Sequence, residues 1–449
     1  MNADLRLAWL LTRGSNRREW WRAGLTAVGA GLATGFGLAA VAIASIEGQY
    51  VVSFGNGLLN QPGERTGVVF ALVLLLIPVL GFLGQCARVG AVHRDRRLAA
   101  LRLAGAAPGQ VRRIAALEAG LACLVGSVIA VLASVAFVLG EWKEPPGTVW
   151  AAFVLVAVAV PVLGALVSAL ALRRVITSPL GWVRRVRTTP RPGLVLAVIV
   201  PTFAVLVLLT ALTPYRDNPL IGFAMVPLTV VAAVVLVGVV SVWLSGFTAR
   251  LTGRYLAART ESPAVLIAAE RLRDDPWAAA RTHAAVLLVT VVGTGFVGVR
   301  QGLLAHLHGM EYPAENMSFY ETGLNLTAAA ILVALAITLC ALAVGTAESL
   351  ATRRRGLAAQ TAAGVPRAVL GRALLLETAL PLAPALLLAG LGGLAIGVGY
   401  GGIVGDVLAP SSVAALLVPL AVYATCLLAA ATSLPLLRRS AHPGELRYT

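Results

Sequence analysis

The sequence predicts an all-α polytopic membrane protein with about ten transmembrane helices, arranged as two parallel four-helix repeats joined by two linking helices. The 449 residues are 58% hydrophobic and only 12% charged, about half the charged share of a typical soluble domain. Mean hydropathy is +0.86. Apolar runs of about 20 residues, the length that crosses a bilayer core, recur along the whole chain. A soluble fold would have to bury all of these helices in one core, so the composition excludes it.

The predicted spans follow the apolar runs in order. The spans are 23–46, 67–90, 114–140, 148–172, 193–213, 220–245, 283–304, 324–347, 372–402 and 411–437. The two longest segments on the outer side, 47–66 and 305–323, are too short to form a folded domain.

The distribution of charge predicts the orientation of these spans. With the N-terminus in the cytoplasm, the outer segments hold only Arg65, Lys143, Arg216 and Arg300 of the 36 basic residues. This asymmetry is the positive-inside rule. The net charge of +16 therefore reports topology and contact with anionic membrane lipids, and it requires no nucleic acid. We expect a multi-pass protein of the plasma (inner) membrane with both termini in the cytoplasm.

An internal repeat appears when the chain is shifted by about 259 residues. Pairs at this offset are Arg22 with Arg281, Leu98 with Leu357, Gly105 with Gly364, Arg113 with Arg372, and Glu118 with Glu377. Six spans precede the second copy, so both copies enter the membrane in the same direction, as a parallel repeat. The predicted domains are a first four-span unit at 1–190, a two-span linker at 191–262, and a second four-span unit at 263–449.

Segment 261–281, ESPAVLIAAERLRDDPWAAAR, lies on the predicted inner side between the sixth and seventh spans. Its Ala, Leu and Arg composition predicts an amphipathic helix along the inner face of the membrane.

Several catalytic chemistries are excluded by the motifs that the sequence lacks. A Walker A loop needs a lysine to reach the phosphates, and the only lysine is Lys143 in an outer segment. No GxSxG, HExxH or paired CxxC pattern occurs. The sequence assigns no catalytic, cofactor-binding or metal-ligating residue to this chain. Four outer residues have side chains that can bind a metal: His306, His308, Glu311 and Glu315. Two interpretations remain for them, a metal site or a solvated loop.

Glycines concentrate in the first span, at Gly31 and Gly35, and in the ninth, at Gly393, Gly397 and Gly401. Small residues four apart let helices approach closely in lipid. The pattern fits either tight packing or a helix that slides or hinges during transport.

Glu118 and Glu377 each lie about one turn inside a predicted span, five residues after Arg113 and Arg372. A carboxylate at that depth is costly unless it is paired or reaches the interface. Three interpretations are open: an interfacial anchor paired with inner arginines, a fixed polar contact that joins the span to an inner helix, or part of a proton relay.

Stretch 96–105 predicts a short amphipathic helix that precedes the third span. Leu98 and Leu101 are spaced as i and i+3, with Arg102 beside them. Gly105 is a plausible C-terminal cap, and Pro108 prevents simple continuation of the helix. The pattern fits a helix lying on the lipid surface or one that transmits force from a soluble partner.

The same residues resemble the signature of the FtsX-like permeases, the MacB/LolC-type or type VII ABC transporter superfamily. The first copy reads RLAALRLAGA at 97–106, followed by Gln110-Val111 and Leu117-Glu118. The second copy reads GLAAQTAAGV at 356–365, followed by Leu376-Glu377. The resemblance covers both four-span blocks.

The resemblance implies a duplicated, ten-span, BceB-like permease without a large extracellular domain. Segments 96–105 and 355–364 would be coupling helices that dock on a separate cytoplasmic ABC ATPase of the MacB/LolD kind, present in two copies. The ATPase, not this chain, would hold ATP and Mg²⁺ and carry the enzymatic activity. The implied coupling residues are Leu98, Leu101, Arg102, Gly105, Leu357, Gln360 and Gly364, and the implied polar anchors are Arg113, Glu118, Arg372 and Glu377.

The chain departs from the family pattern at several positions. Arg97 and Gly356 stand where the family usually has an acid, and Gln360-Thr361 replaces the Leu-Arg of the first copy. The expected function is export or extraction of an amphiphile such as a peptide antibiotic, a lipid or a hydrophobic drug. The alternative is a non-transporting permease that signals to a membrane sensor kinase or a cell-wall partner. An ion-driven carrier would need charges near mid-membrane, which the spans lack.

Overall fold

The computed structural model describes most of the chain. The described residues are 17–48, 57–86, 100, 103–141, 145, 147–171, 200–202, 204–205, 219–309, 317–404 and 413–440. Within these ranges the chain forms twelve α-helices: α1 (Arg17–Ala44), α2 (Pro62–Cys86), α3 (Pro108–Glu141), α4 (Gly147–Ala171), α5 (Pro219–Arg259), α6 (Pro263–Asp274), α7 (Pro276–Gly309), α8 (Met317–Thr352), α9 (Arg354–Ala362), α10 (Arg367–Val404), α11 (Val413–Ala431) and α12 (Leu434–Ser440).

Nine helices of the described part are long and apolar enough to cross a membrane. They correspond to nine of the ten predicted spans, and the predicted all-α polytopic membrane fold is confirmed. The remaining span, 193–213, lies mostly outside the described residues, which include only 200–202 and 204–205 of it.

Several helices extend beyond the apolar runs that predict them. Helix α5 continues to Arg259, where the predicted span ends at residue 245, and α7 begins at Pro276 rather than at residue 283. The amphipathic inner helix predicted within 261–281 is correspondingly shorter, since α6 covers Pro263–Asp274 only. Ala, Leu and Arg are strong helix formers, so a helix continues past the hydrocarbon boundary although its residues become polar.

The described chain separates into two compact units. The first comprises residues 1–188 with 318–330, and the second comprises 189–317 with 331–449. The predicted first domain ends at residue 190, close to this boundary. The division into a linker at 191–262 and a second domain at 263–449 stays a prediction, while α5 packs against α7 and α10 inside the second unit.

Helix α1 organises the first unit, where it contacts α2, α3 and α4. Its Leu38 joins Val138, Val149 and Phe153 in a buried apolar cluster.

Helix α10 organises the second unit, where it packs against α5, α6, α7 and α11. The central cluster of this unit is formed by Val286, Leu287, Val291, Leu342, Leu382, Ala385, Leu386, Ala389, Val422 and Cys426. A second cluster lies at the basic ends of the helices, which the charge pattern predicts to face the cytoplasm, and contains Leu350, Leu357, Leu370, Leu374 and Leu437.

In the first unit, Arg65 closes the connection between the end of α1 and the start of α2. Its side chain is 3% exposed. The guanidinium donates to the backbone carbonyls of Ile46 and Gly48 at the end of α1, and to Asn60 (3.3 Å) and Gln61 (3.4 Å) before α2. A cation bound to carbonyls at a helix C-terminus satisfies acceptors that lack partners inside the helix.

Candidate functional site

A turn of identical hydrogen bonding occurs once in each unit, at the repeat offset of 259 residues. The amide of Ala104 donates to the carbonyl of Ala100, and the amide of Ala363 donates to the carbonyl of Ala359, both at 2.9 Å. These bonds end a helical turn in each unit. The offset inferred from a few side chains therefore also describes the backbone.

The residue after each turn is a glycine with a left-handed backbone. Gly105 has φ +96° and Gly364 has φ +90°. An L-residue with a β-carbon is strained in this region, while glycine is not. The predicted capping role of Gly105 and its partner Gly364 thus corresponds to the conformation that both adopt.

The next helix of each unit begins in the same way. Ala107 accepts from the amides of Gln110 and Val111 at 3.0 and 3.1 Å, and Pro366 accepts from Val369 and Leu370 at 3.0 and 3.3 Å. Val111 and Leu370 are both 1% exposed, which fixes the start of α3 and of α10 in the core of its own unit. Each turn is therefore firmly joined to a membrane-spanning helix.

Glu118 on α3 forms a buried ion pair with Arg22 on α1. The Glu118 side chain is 8% exposed and the Arg22 side chain 11%. The guanidinium donates to the Glu118 Oε1 atom. Removing one member of a buried pair leaves the other charge without compensation, so this contact links α1 and α3 strongly.

Glu377 on α10 has two arginine partners from two other helical segments. The Nη1 atom of Arg353, the residue before α9, lies 2.8 and 3.1 Å from the two carboxylate oxygens. The Nη1 atom of Arg271 on α6 lies 3.3 Å from Oε2. Burial lowers the pKa of the Arg271 guanidinium from its usual value, and the Glu377 carboxylate opposes that shift. Glu377 therefore joins α10 to α6 and to the start of α9.

The arginines that precede the glutamates in sequence lie elsewhere. Arg113 is exposed and its Nε donates to the Gly109 carbonyl at 3.4 Å, and Arg372 is also exposed. Arg281, the repeat counterpart of Arg22, pairs with Asp275 at 3.2 Å rather than with a glutamate of α10.

The leucine of α9 that the sequence suggested for contact with a partner lies on the buried face of the helix. Leu357 is 1% exposed and packs against Leu350, Leu370 and Leu374. Its predicted role as a docking residue stays a prediction, and in the structure it anchors α9 to the chain's own core. Gln360 is half-buried, and its Oε1 atom has no hydrogen-bond partner within the described part of the chain.

The exposed face of the second turn is made of small and basic residues. Its members are Arg355, Gly356, Ala359, Ala362, Ala363 and Gly364. In the first unit, Leu98, Leu101 and Arg102 lie outside the described residues. Leu103, which sequence reasoning did not single out, is 74% exposed at the position that corresponds to Ala362. The only sequence signal for Leu103 is its place beside the glycine cap.

Glycines bring two pairs of helices into backbone contact. A β-carbon on Gly31 of α1 would lie 3.2 Å from the Gly126 carbonyl oxygen on α3. A β-carbon on Gly295 of α7 would lie 3.2 Å from the Gly393 carbonyl oxygen on α10, and one on Gly397 would lie 3.0 Å from the Gly295 carbonyl oxygen. These contacts account for Gly31, Gly393 and Gly397 as close packing positions, whereas a β-carbon on Gly35 would meet nothing within 4 Å.

The described residues contain no group of three or more His, Cys, Asp or Glu side chains that could hold a metal ion. His306 and His308 belong to the last turns of α7, whereas Glu311 and Glu315 lie outside the described residues. Three of the four cysteines, Cys86, Cys123 and Cys426, are buried and Cys340 is exposed, and none of the four forms a disulfide.

Residues 68–180, which include most of α2, the first turn and helices α3 and α4, match the C-terminal domain of the FtsX-like permeases. This segment, about a quarter of the chain, is similar to that family domain. Neither the curated proteins nor the solved structures provide a match to it.

The nine membrane-length helices of the described part indicate a multi-pass membrane protein. The matched segment contains the first turn, with Gly105, and Glu118.

Proposed function

We propose that this chain couples ATP hydrolysis by a separate ATPase to the export or extraction of an amphiphilic substrate, such as a peptide antibiotic, a lipid or a hydrophobic drug. The observation that carries the proposal is the duplicated turn at 100–111 and 359–370, which has the same hydrogen bonds and the same left-handed glycine in both units. A transporter driven by two copies of one ATPase needs two equivalent contacts of this kind.

Each turn is built to move together with a membrane-spanning helix. The buried side chains Val111 and Leu370 fix the first residues of α3 and α10, and the ion pairs of Glu118 and Glu377 tie those helices to their neighbours. In the second unit Leu357 also anchors α9 to α10. A force on either turn would displace a packed group of helices rather than one loop.

The exposed side chains of the turns suit a helix-in-groove contact. Ala359 and Ala362 allow close approach of a partner surface, while Arg355 supplies a charge at its edge. Leu103 offers the first turn an apolar contact that the second turn lacks. Two ATPase subunits of the MacB/LolD kind would bind, hold ATP and Mg²⁺, and engage the two turns unequally. This arrangement requires the turns and both chain termini to face the cytoplasm.

An amphiphilic substrate is favoured by the surfaces that the spans offer. Large apolar side chains are exposed along several spans, among them Leu80, Leu132, Leu155 and Leu332. The outer segments between spans are short, so a substrate would be handled within the membrane rather than by an outer domain.

The test is co-purification from the native cell followed by substitution of the turns. We expect a soluble ATPase at two copies per chain, and persistent isolation of the chain alone would overturn the proposal. Leu103→Asp and Ala359→Asp should each weaken ATPase retention. Leu266→Asp on α6 and Ala258→Asp on α5, which change exposed residues outside the turns, should retain the ATPase fully.

Transport is tested in proteoliposomes that contain the chain and its ATPase. ATP-dependent movement of a fluorescent lipid or a lipophilic dye, abolished by Leu103→Asp, supports export or extraction. ATPase binding without movement of any such compound would favour the signalling alternative.

A further inference from the structure

The last three turns of α5 carry a mixed apolar and basic face that nothing in the described chain covers. The exposed residues on this face are Phe247, Arg250, Leu251, Arg254, Tyr255 and Arg259, so that an exposed position recurs every three or four residues along the helix. This spacing places them on one side of an α-helix. Phe247 is 45% exposed, Leu251 56% and Tyr255 55%.

The opposite side of this part of α5 is buried against the rest of the protein. Ala249 is 0% exposed, and a β-carbon on Gly253 would lie 2.9 Å from the Ala269 carbonyl oxygen and from the Arg273 amide nitrogen on α6. Packing against α6 therefore fixes the rotation of α5 and directs Phe247 and Leu251 outward.

The exposed face continues a membrane-spanning helix. The candidate span Thr229–Arg259 has 31 residues, about 46 Å of helix, close to the full thickness of a bilayer with its headgroups. Trp243 and Phe247 stack with ring centroids 5.2 Å apart, and Tyr255 lies four residues before Arg259. Trp and Tyr are concentrated at the headgroup level of membranes, so this end of α5 lies among lipid headgroups.

The charge of the face is of one sign. No acidic residue occurs between Asp217 and Glu261 in the sequence. Arg259 donates from Nη1 to the Tyr255 hydroxyl at 2.7 Å, and its guanidinium carbon lies 4.6 Å from the centre of the Tyr255 ring, which holds the cation against an aromatic face. Among the described residues, neither Arg250 nor Arg254 forms an ion pair with an acid. A ligand for this face has to be anionic at the arginines and apolar beside them.

We propose that the Phe247–Arg259 face of α5 is a binding site for anionic phospholipid of the adjoining leaflet. Arg250 and Arg254 bind the lipid phosphate, and Phe247 and Leu251 contact the first part of its acyl chains. The helix rises about 10 Å from Phe247 to Arg254, which spans the headgroup layer, so both kinds of contact are made by one lipid. The site is independent of the ATPase-binding turns, and its failure leaves the proposed function unaffected.

The experiment compares two lipids that differ in headgroup charge. The full chain is purified in mild detergent, delipidated, and titrated with dioleoyl-phosphatidylglycerol or dioleoyl-phosphatidylcholine, with retained lipid counted by native mass spectrometry. An arginine near an anionic surface contributes about 1 kcal/mol, so the double variant Arg250→Gln/Arg254→Gln should lower phosphatidylglycerol affinity roughly 30-fold. Binding of phosphatidylcholine should be weak and unchanged.

A matched control removes two arginines outside the face. Arg273 and Arg281 pair with Glu270 and Asp275, and the variant Arg273→Gln/Arg281→Gln should keep the phosphatidylglycerol affinity of the native chain. Equal loss in both double variants would overturn the site in favour of general basicity. Equal binding of both lipids would overturn the site in favour of a non-ionic contact. A change in oligomeric state without lipid loss, when Arg250 and Arg254 are replaced, would overturn it in favour of a second protein copy. All four arginines are exposed, and a thermal melt of each variant verifies that it is folded.

Discussion

Glu118 and Glu377 occupy equivalent positions in the two units, but different arginines bind them. Glu118 pairs with Arg22 on the neighbouring span α1, whereas Glu377 pairs with Arg271 on α6 and with Arg353 beside α9. In the first unit the glutamate joins two spanning helices. In the second it joins a spanning helix to α6 and to the residue before α9. Within the described residues, the acid and the turn thus occur in both units, whereas the cations described beside the acid differ.

The polar contact between the central helices differs between the units as well. Thr34 on α1 and Ser127 on α3 share a hydrogen bond of 2.9 Å in the first unit. Thr294, which lies 260 residues after Thr34, is buried, and its hydroxyl has no partner within the described residues. The position that corresponds to Ser127 is Leu386, a member of the apolar core. At these positions the first unit has a hydrogen-bonded pair, and the second has one buried hydroxyl and one apolar residue.

Substitution of Glu118 should have the largest effect on stability. Glu118→Gln leaves the Arg22 guanidinium buried without a counter-charge, which should lower the free energy of unfolding by about 3–5 kcal/mol. Denaturation in mixed micelles measures this loss. The double variant Arg22→Met/Glu118→Met removes both charges and should recover most of it. A double variant as unstable as the single one would show that the pair is not the cause.

Glu377→Gln should cost less, about 2 kcal/mol. It removes the counter-charge of Arg271, whose side chain is 15% exposed, but the Arg353 side chain is 38% exposed and can turn toward water. The same unfolding measurement applies, and hydrogen exchange at α9 should rise because the link to Arg353 is lost. Glu270→Gln, which removes an exposed pair with Arg273, is the matched control and should change stability by less than about 1 kcal/mol. A larger effect for Glu377→Gln than for Glu118→Gln would reverse the comparison of the two units.

The glycines after the turns should respond equally in both units. Gly105→Ala and Gly364→Ala place a β-carbon at a left-handed backbone and should each cost about 1–2 kcal/mol, with reduced ATPase retention. Gly356→Ala is the control, because Gly356 lies in the interior of α9 with nothing within 4 Å of a β-carbon. It should stabilise the helix by about 0.5–1 kcal/mol. Equal effects at Gly356 and Gly364 would contradict the capping role.

Two threonines provide a test with a smaller expected effect. Thr34→Val removes the hydrogen bond to Ser127 and should lower stability by about 1 kcal/mol. Thr294→Val removes a buried hydroxyl without a described partner, so stability should be unchanged or slightly higher. Thermal melts of the two variants side by side distinguish these outcomes, and an equal loss in both would mean that Thr294 has a partner.

The spans, the repeat offset and the position of both turns could be predicted because each depends on local pattern. Apolar length predicts a span, and a glycine at the end of a helical stretch predicts a cap. Gly105 and Gly364 have the left-handed backbone that their positions suggested.

The partners of the glutamates could not be predicted from the same patterns. Arg113 and Arg372 lie five residues before the glutamates, which places them about 140° away around the helix and on another face. Arg22, Arg271 and Arg353 reach the glutamates only through tertiary packing. The burial of Leu357 could not be predicted for a related reason: an apolar helix face is equally suited to a partner protein and to the chain's own core.

The bonds of Arg65 to carbonyls on both sides of the α1–α2 connection have a consequence for how the protein tolerates added sequence. The guanidinium holds the chain together at Ile46 and Gly48 on one side and at Asn60 and Gln61 on the other. Because Arg65 holds both ends of this segment, residues inserted between these two points should leave the membrane helices in place. An epitope inserted after residue 52 should therefore be labelled on intact cells without loss of folded protein. The same insertion combined with Arg65→Ala should reduce the amount of folded protein.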